Sequence, residues 1–287
     1  MKMKTGDKII GYINTVLLLI FSAACLLPFI NVLAVSFSSN RAIVSGFVTI
    51  YPIEFNIKYY LKVLTDRFML NSIAFTAFLT IVFVIVALVL TIMMSYALSR
   101  KKMKGRSFIL FIATLTMYFN GGIIPTYLVV QKLGLLDSMW SLVLPVAINT
   151  YYMIIMKTFF SSIPESLLES AVLDGCNEFM ILIRIVLPLS LPVIATMALF
   201  YAVYRWNAFQ DAVFYISDPN MYPIQLRLRE LVLQNQINQD ITTDAESFVS
   251  EGVKAASLMV ATLPILVVYP WLQKYFVKGM TIGAVKG

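Results

Sequence analysis

The sequence predicts an all-α membrane protein that crosses the bilayer six times, and three observations predict it. Of its 287 residues, 60% are hydrophobic and only 13% are charged, with a mean hydropathy of +0.83. Soluble domains average roughly 45–50% apolar and 25% charged residues, so one soluble core could not bury this much apolar surface. Six stretches are long and apolar enough to cross about 30 Å of hydrocarbon, which takes about 20 helical residues. The charges, finally, divide unevenly between the two sides of those stretches. The same composition excludes a disordered tail, a coiled coil or a nucleic-acid-binding domain, and the net charge of +7 becomes a statement about orientation.

The spans are expected near Ile13 to Phe37, Ser72 to Leu98, Ser107 to Val130, Met139 to Phe160, Leu187 to Tyr204 and Ala255 to Phe276. The first carries no charge and no small-residue cleavage site, so it reads as an uncleaved helix rather than a signal peptide. Ser22-Ala23-Ala24-Cys25 comes near a lipoprotein cleavage site, but Ser22 stands where Leu is usual. Six spans put both termini on one side. That side holds 13 Lys and Arg, including the cluster Arg100, Lys101, Lys102, Lys104 and Arg106, against five acids. The other side holds 9 basic and 10 acidic residues, so both termini are expected in the cytoplasm.

Three segments then face outward: the residues before Asn71, a turn from Gln131 to Ser138, and a loop over 205–254. Within the last, Leu226, Leu228, Leu231, Val232 and Ile237 fit an amphipathic helix over Ile224 to Ile237, either docking a partner or packing on its own protein.

Chemistry is sparse. The chain has no His, which removes the commonest general base, the usual nucleophile partner and most zinc sites. Cys25 and Cys176 suggest neither a disulfide framework nor a metal cluster. No Gly-x-x-x-x-Gly-Lys-Ser/Thr string is present, so ATP, if used, is bound by another subunit. A secondary carrier or channel is the rival reading, although the spans lack the mid-depth acids that proton- or ion-coupled carriers usually keep. A membrane-embedded enzyme is the other, but its nearest acids, Glu165, Glu169, Asp174 and Glu178, crowd into one loop.

That loop, 161–188, is too polar and too long to be a mere connector. Ser162 with Glu165 three residues on is the pattern of a capping box. Leu167, Leu168, Ala171 and Val172 give one apolar face, Gly175 a turn, and Asn177-Glu178 a second helix start, running through Phe179 to Val186 and halting near Pro188. The spacing alone describes either a cytoplasmic docking element or an amphipathic helix lying at the interface.

Glu169-Ser170-Ala171, Gly175, Ile185 and Leu187-Pro188 resemble the loop signature of binding-protein-dependent ABC importer permeases, E-A-A-x3-G-x9-I-x-L-P, with Ser170 in place of the second Ala. Asp174-Gly175, Gly121-Gly122-Ile123-Ile124-Pro125-Thr126-Tyr127, Trp206-Asn207 and the Gly-rich ending from Val277 to Gly287 are similar to the carbohydrate branch, in particular the smaller maltose-type subunit and its oligosaccharide and polysaccharide relatives. The resemblance implies a type I importer permease fold in a bacterial or archaeal cell membrane. It implies a single permease domain over 1–287 and no catalysis in this chain. ATP and Mg would be held by a cytoplasmic ATPase dimer, docked by Glu169, Ser170, Ala171, Asp174 and Gly175, with a second contact from the 277–287 tail through Lys278, Gly279 and Gly283. It also implies a second, non-identical permease and an extracytoplasmic solute-binding protein that reaches the 205–254 loop. Within the family, an amino-acid or phosphate importer is the alternative to a saccharide one. Asn120, Asn149, Tyr152, Tyr204 and Trp206 are the candidates for the substrate path, since aromatic faces suit sugar C–H surfaces and amides suit hydroxyls; interfacial anchoring is their other reading.

Overall fold

A computed structural model describes residues 5–241 and 251–284; side chains are described over 11–233 and 251–267. Every regular element among the described residues is a helix, with no strand among them. In order they form α1 (Thr5–Ser36), α2 (Asn40–Val44), α3 (Lys58–Thr65), α4 (Arg67–Ser99), α5 (Arg106–Tyr118), α6 (Ile123–Lys132), α7 (Met139–Val143), α8 (Thr150–Phe160), α9 (Glu165–Leu173), α10 (Glu178–Ile181), α11 (Leu187–Leu189), α12 (Leu191–Asn207), α13 (Gln210–Tyr215), α14 (Ile224–Ile241) and α15 (Glu251–Ala284).

Among the described residues, two helices are long and apolar enough to span a membrane unaided, Gly11–Ser36 and Arg67–Ser99. Three further spans expected from the sequence are broken pairs. Arg106–Tyr118 and Ile123–Lys132 bend by 118°, Met139–Val146 and Thr150–Phe160 by 54°, and Glu178–Leu189 and Leu191–Asn207 by 83°. The sixth expected span, Ala255 to Phe276, lies within α15, in part beyond the residues whose side chains are described.

Each break has a local cause. After Tyr118, Asn120 folds back so that its Oδ1 accepts from Gly122 N at 2.9 Å, and Gly122 takes φ +84° with ψ 175°, a conformation open to glycine alone. Between α7 and α8, Asn149 leaves the helical path and caps α8, its Oδ1 accepting from Tyr152 N at 3.2 Å. The helix ends near Pro188 as expected, one residue beyond it at Leu189. A π-helical turn over Leu182–Val186 precedes that end, and the bend falls at Ser190, whose N–H bonds to both Val186 O and Leu187 O at 3.0 Å.

Two compact units divide the chain, residues 1–70 with 227–263 and residues 71–226 with 264–287. In the first, Ala34, Ala42 and Val48 form a small core, Phe37 stacks on Phe55 and Tyr60, and Ser38 Oγ bridges Ala34 O and Ile53 N. The second has two larger cores. One gathers Leu79, Phe83, Leu142, Tyr201, Ala212 and Tyr215; the other gathers Tyr96, Met156, Phe160, Leu168, Ile181 and Met197. Over Tyr12 to Leu27, by contrast, α1 exposes its apolar side chains, as a helix made for lipid or for another subunit does.

Candidate functional site

Two places in the second unit gather polar and charged groups. The first is the connection from α8 to α11. Its helix α9 begins at Glu165 because Pro164, at φ −54° and ψ 127°, fixes the entry; Pro164 makes no side-chain cap. The expected capping box does not form. Ser162 Oγ donates to Phe159 O at 2.7 Å, and Glu165 reaches sideways to Lys101 Nζ at 2.7 Å. That hydrogen bond from a cationic neighbour holds the Glu165 carboxyl below the usual range.

The end of α9 is a Schellman turn: Gly175 N donates to Val172 O and Cys176 N to Ala171 O, both at 3.0 Å, with Gly175 at φ +84°. Asn177 then caps α10 through Met180 N at 2.8 Å. Helix, left-handed glycine and cap follow the pattern read from the sequence. The apolar face does not hold together as expected. Leu168 and Ala171, three residues apart, turn inward onto Tyr96 and Phe160, while Leu167, Val172 and the 88% exposed Leu173 face outward with Glu169, Ser170, Asp174 and Gly175. Four of the five docking candidates thus share the exposed surface, and Ala171 is packed beneath it.

Beside α9 runs a cleft of about 1040 Å³, walled by Tyr96 to Met103 on one side and by Phe160 to Glu169 on the other. Arg100 Nη2 meets Glu178 Oε1 across it at 3.0 Å, and the Tyr96 hydroxyl donates to the other Glu178 oxygen. In the sequence the 100–106 cluster speaks only for orientation, because no spacing rule pairs residues 78 apart.

The second place is an open cavity of about 620 Å³ between the broken helix α5–α6 and the consecutive helices α12 and α13. Asn120, Thr126, Tyr204, Asn207, Gln210 and Asp211 supply its polar groups, and Phe209, Phe214 and Tyr215 its further aromatic surface. Of the five path candidates, Asn120 and Tyr204 line it. Asn149 is occupied as a helix cap, Tyr152 packs edge-on against Tyr201 at 5.0 Å and near Phe200 at 5.5 Å, and Trp206 is buried.

The wall is organised by a residue the sequence placed at the start of a solvated loop. Arg205 belongs to α12 and its side chain is wholly buried. Its guanidinium holds Asp211 with both terminal nitrogens, one at 3.0 Å, and donates to Leu142 O at 2.8 Å, fixing α7, α12 and α13 together. A lone cation at the end of an apolar helix was the available signal. Lys278, Gly279 and Gly283 lie in α15, but their side chains fall outside the described residues.

Broken apolar helices around an open cavity, with a polar helix-turn-helix connection on the same unit, define a membrane permease. The chain belongs to the family described as binding-protein-dependent transport system inner membrane component, which matches residues 88–282. In this family the chain is the permease subunit of an ABC transporter, a non-enzymatic component whose ATPase is a separate subunit. It is 44% identical over 273 residues to a polygalacturonan/rhamnogalacturonan transport system permease protein of Bacillus subtilis, covering 94% of this chain and 96% of that one. It is 27% identical over 297 residues to a trehalose/maltose transport system permease protein of Thermococcus litoralis, covering both completely. A crystal structure of a bacterial ABC transporter involved in the import of the acidic polysaccharide alginate matches with a TM-score of 0.87 at 33% identity, over 96% of this chain and 99% of that chain.

Proposed function

We propose that this permease imports an oligosaccharide released from an acidic polysaccharide, moving it past the cavity between α5–α6 and α12–α13. The observation that carries the reading is that cavity's chemistry. Tyr204, Phe209, Phe214 and Tyr215 offer aromatic faces to sugar C–H surfaces, and Asn120, Asn207 and Gln210 offer amides to hydroxyls. Asp211 is the one ionisable acid among the lining residues, and the buried Arg205 neutralises it, so a carboxylate-bearing sugar meets no unpaired negative charge. The substrates named for two relatives, polygalacturonan and alginate, are of that class.

The remaining parts of the proposal are supported by the charge placement and by what the loop signature implies. Six spans place both termini in the cytoplasm of a cell whose inner membrane holds the complex. A second, non-identical permease completes the pathway, and an extracytoplasmic solute-binding protein delivers the sugar, in part through the 205–254 loop. Two copies of an ATPase bind ATP and Mg. Glu169, Ser170, Asp174 and Gly175, with the exposed apolar Leu173 among them, dock α9 into that ATPase, Ala171 transmits the load to the core beneath, and the tail at Lys278, Gly279 and Gly283 makes a second contact.

Uptake by the intact transporter in proteoliposomes, supplied with its binding protein and ATP, tests the substrate reading. Labelled oligogalacturonate is expected to accumulate, and Tyr204→Ala with Asn207→Ala to lower its uptake about tenfold, the effect of losing roughly 1.4 kcal/mol of contact. Accumulation of neutral maltooligosaccharides with exclusion of the acidic ones would overturn it.

A further inference from the structure

We infer that the turn between α4 and α5 is a second point of attachment through which α9 moves the membrane helices, with Arg100 and Glu178 as its positioning residues. The inference rests on α9 being the ATPase-coupling element. Along the chain α9 is joined only to α8 and α10, yet its two ends are gripped from the side by residues 96–101. At the start of α9, Lys101 Nζ lies 2.7 Å from Glu165 Oε2. Just past its end, Glu178 opens α10 and takes Arg100 Nη2 at 3.0 Å and the Tyr96 hydroxyl. The Arg100 guanidinium carbon stands 5.9 Å from the centre of the Tyr96 ring, so the three groups brace one another. Tyr96 also belongs to the core that receives Leu168 and Ala171, the inward side of α9.

The two grips are unequal. Lys101 and Glu165 are 73% and 49% exposed, and water screens such a pair. The Arg100 side chain is 24% exposed and Glu178 61%, so the second grip differs less in the burial of its carboxylate than in its donors, Arg100 on one oxygen and the buried Tyr96 on the other. A carboxylate fixed by a guanidinium and a hydroxyl has one favourable arrangement, so displacement of the α9–α10 corner is passed to the end of α4 rather than absorbed by side-chain rotation. The cluster at residues 100–106 therefore has a task beyond orientation. Arg106 Nε donates to Leu98 O at 2.8 Å, closing the turn on itself.

The test reads uptake per ATP hydrolysed in the reconstituted full transporter, because a merely structural defect lowers both activities together and leaves their ratio alone. Arg100→Glu and Glu178→Arg are each expected to lower that ratio about tenfold, within the range found for mutations that perturb coupling. Their combination, which restores an opposite-charge pair, is expected to recover at least half of the loss. Glu178→Gln and Tyr96→Phe, which preserve shape, should lower the ratio about threefold and serve if a charge reversal prevents assembly. A wild-type ratio in the reversals, or in Glu178→Gln where they do not assemble, overturns the inference, as does a double reversal no better than either single one. Glu169→Lys separates the two levels of the argument. If it uncouples while the Arg100 and Glu178 variants do not, the second attachment is wrong and the docking role of α9 stands; if Glu169→Lys also leaves the ratio unchanged, the docking role itself fails.

Discussion

Arg205 sits near the end of a 17-residue apolar helix with no solvent contact for its side chain. A cation so placed is tolerable because Asp211 and two carbonyl oxygens accept from its two terminal nitrogens, although its buried Nε has no partner among the described residues, and the pair is worth far more intact than broken. Arg205→Met strands the Asp211 carboxylate and is expected to cost about 3–5 kcal/mol, while adding Asp211→Leu recovers much of it. Thermal unfolding of the purified complex checks this, and equal midpoints for the single variant and the wild type would refute it. Glu165 is the opposite case, an exposed carboxylate whose proton affinity is lowered by the Lys101 hydrogen bond. Because its folded value lies below the unfolded one, near 4.3 for a free Glu, its contribution is present above that pH and is lost as the pH falls through the folded value. The stability difference between the wild type and Glu165→Gln should therefore be constant near neutrality and vanish in acid; a difference that grows below about pH 4 would contradict the assignment.

Within α9, the inward and outward sides make separable predictions. Leu168→Ala opens a hole in a packed core and is expected to cost about 2–4 kcal/mol of stability. Leu173→Ala removes an exposed side chain and should leave stability within about 0.5 kcal/mol, yet weaken co-purification with the ATPase. If Leu173→Ala leaves co-purification at the wild-type level, the exposed apolar surface has another purpose. This element was largely legible in the sequence, because Pro164, Gly175 and Asn177 act locally: each fixes a φ angle or a cap within three residues. What misled was equally local in origin. Ser162 and Glu165 have the spacing of a capping box, but Lys101, far away in the chain, competes for the carboxylate. Pro188 does mark the helix end, at Leu189, but no spacing announced the π-helical turn over Leu182–Val186 that precedes it. Asn120, Gly121 and Gly122 are breaker residues at the bend of the third span, but no spacing gives its 118° sharpness.

Across the whole molecule, composition told the solvent and charge placement the expected orientation, because both are sums over many residues. The cavity was only half legible. Asn120 and Tyr204 were chosen for their chemistry and do line it, but Asn149, Tyr152 and Trp206, chosen on the same grounds, serve as a cap, a ring in a packed core and a buried side chain. Side-chain chemistry does not say which way a residue on a bent helix faces, and the three bends decide that. The central claim is that α9 ties ATP hydrolysis in a partner to saccharide movement past this cavity. The most direct measurement is ATP-driven accumulation of labelled oligosaccharide in proteoliposomes holding the full transporter, with wild-type chain and with Gly175→Pro, which cannot adopt the φ of +84° that ends α9. The account predicts accumulation above the outside concentration that requires ATP, and its loss in the variant while the permease remains inserted and paired with its partner; accumulation that persists in Gly175→Pro, or that proceeds without the ATPase, would contradict it.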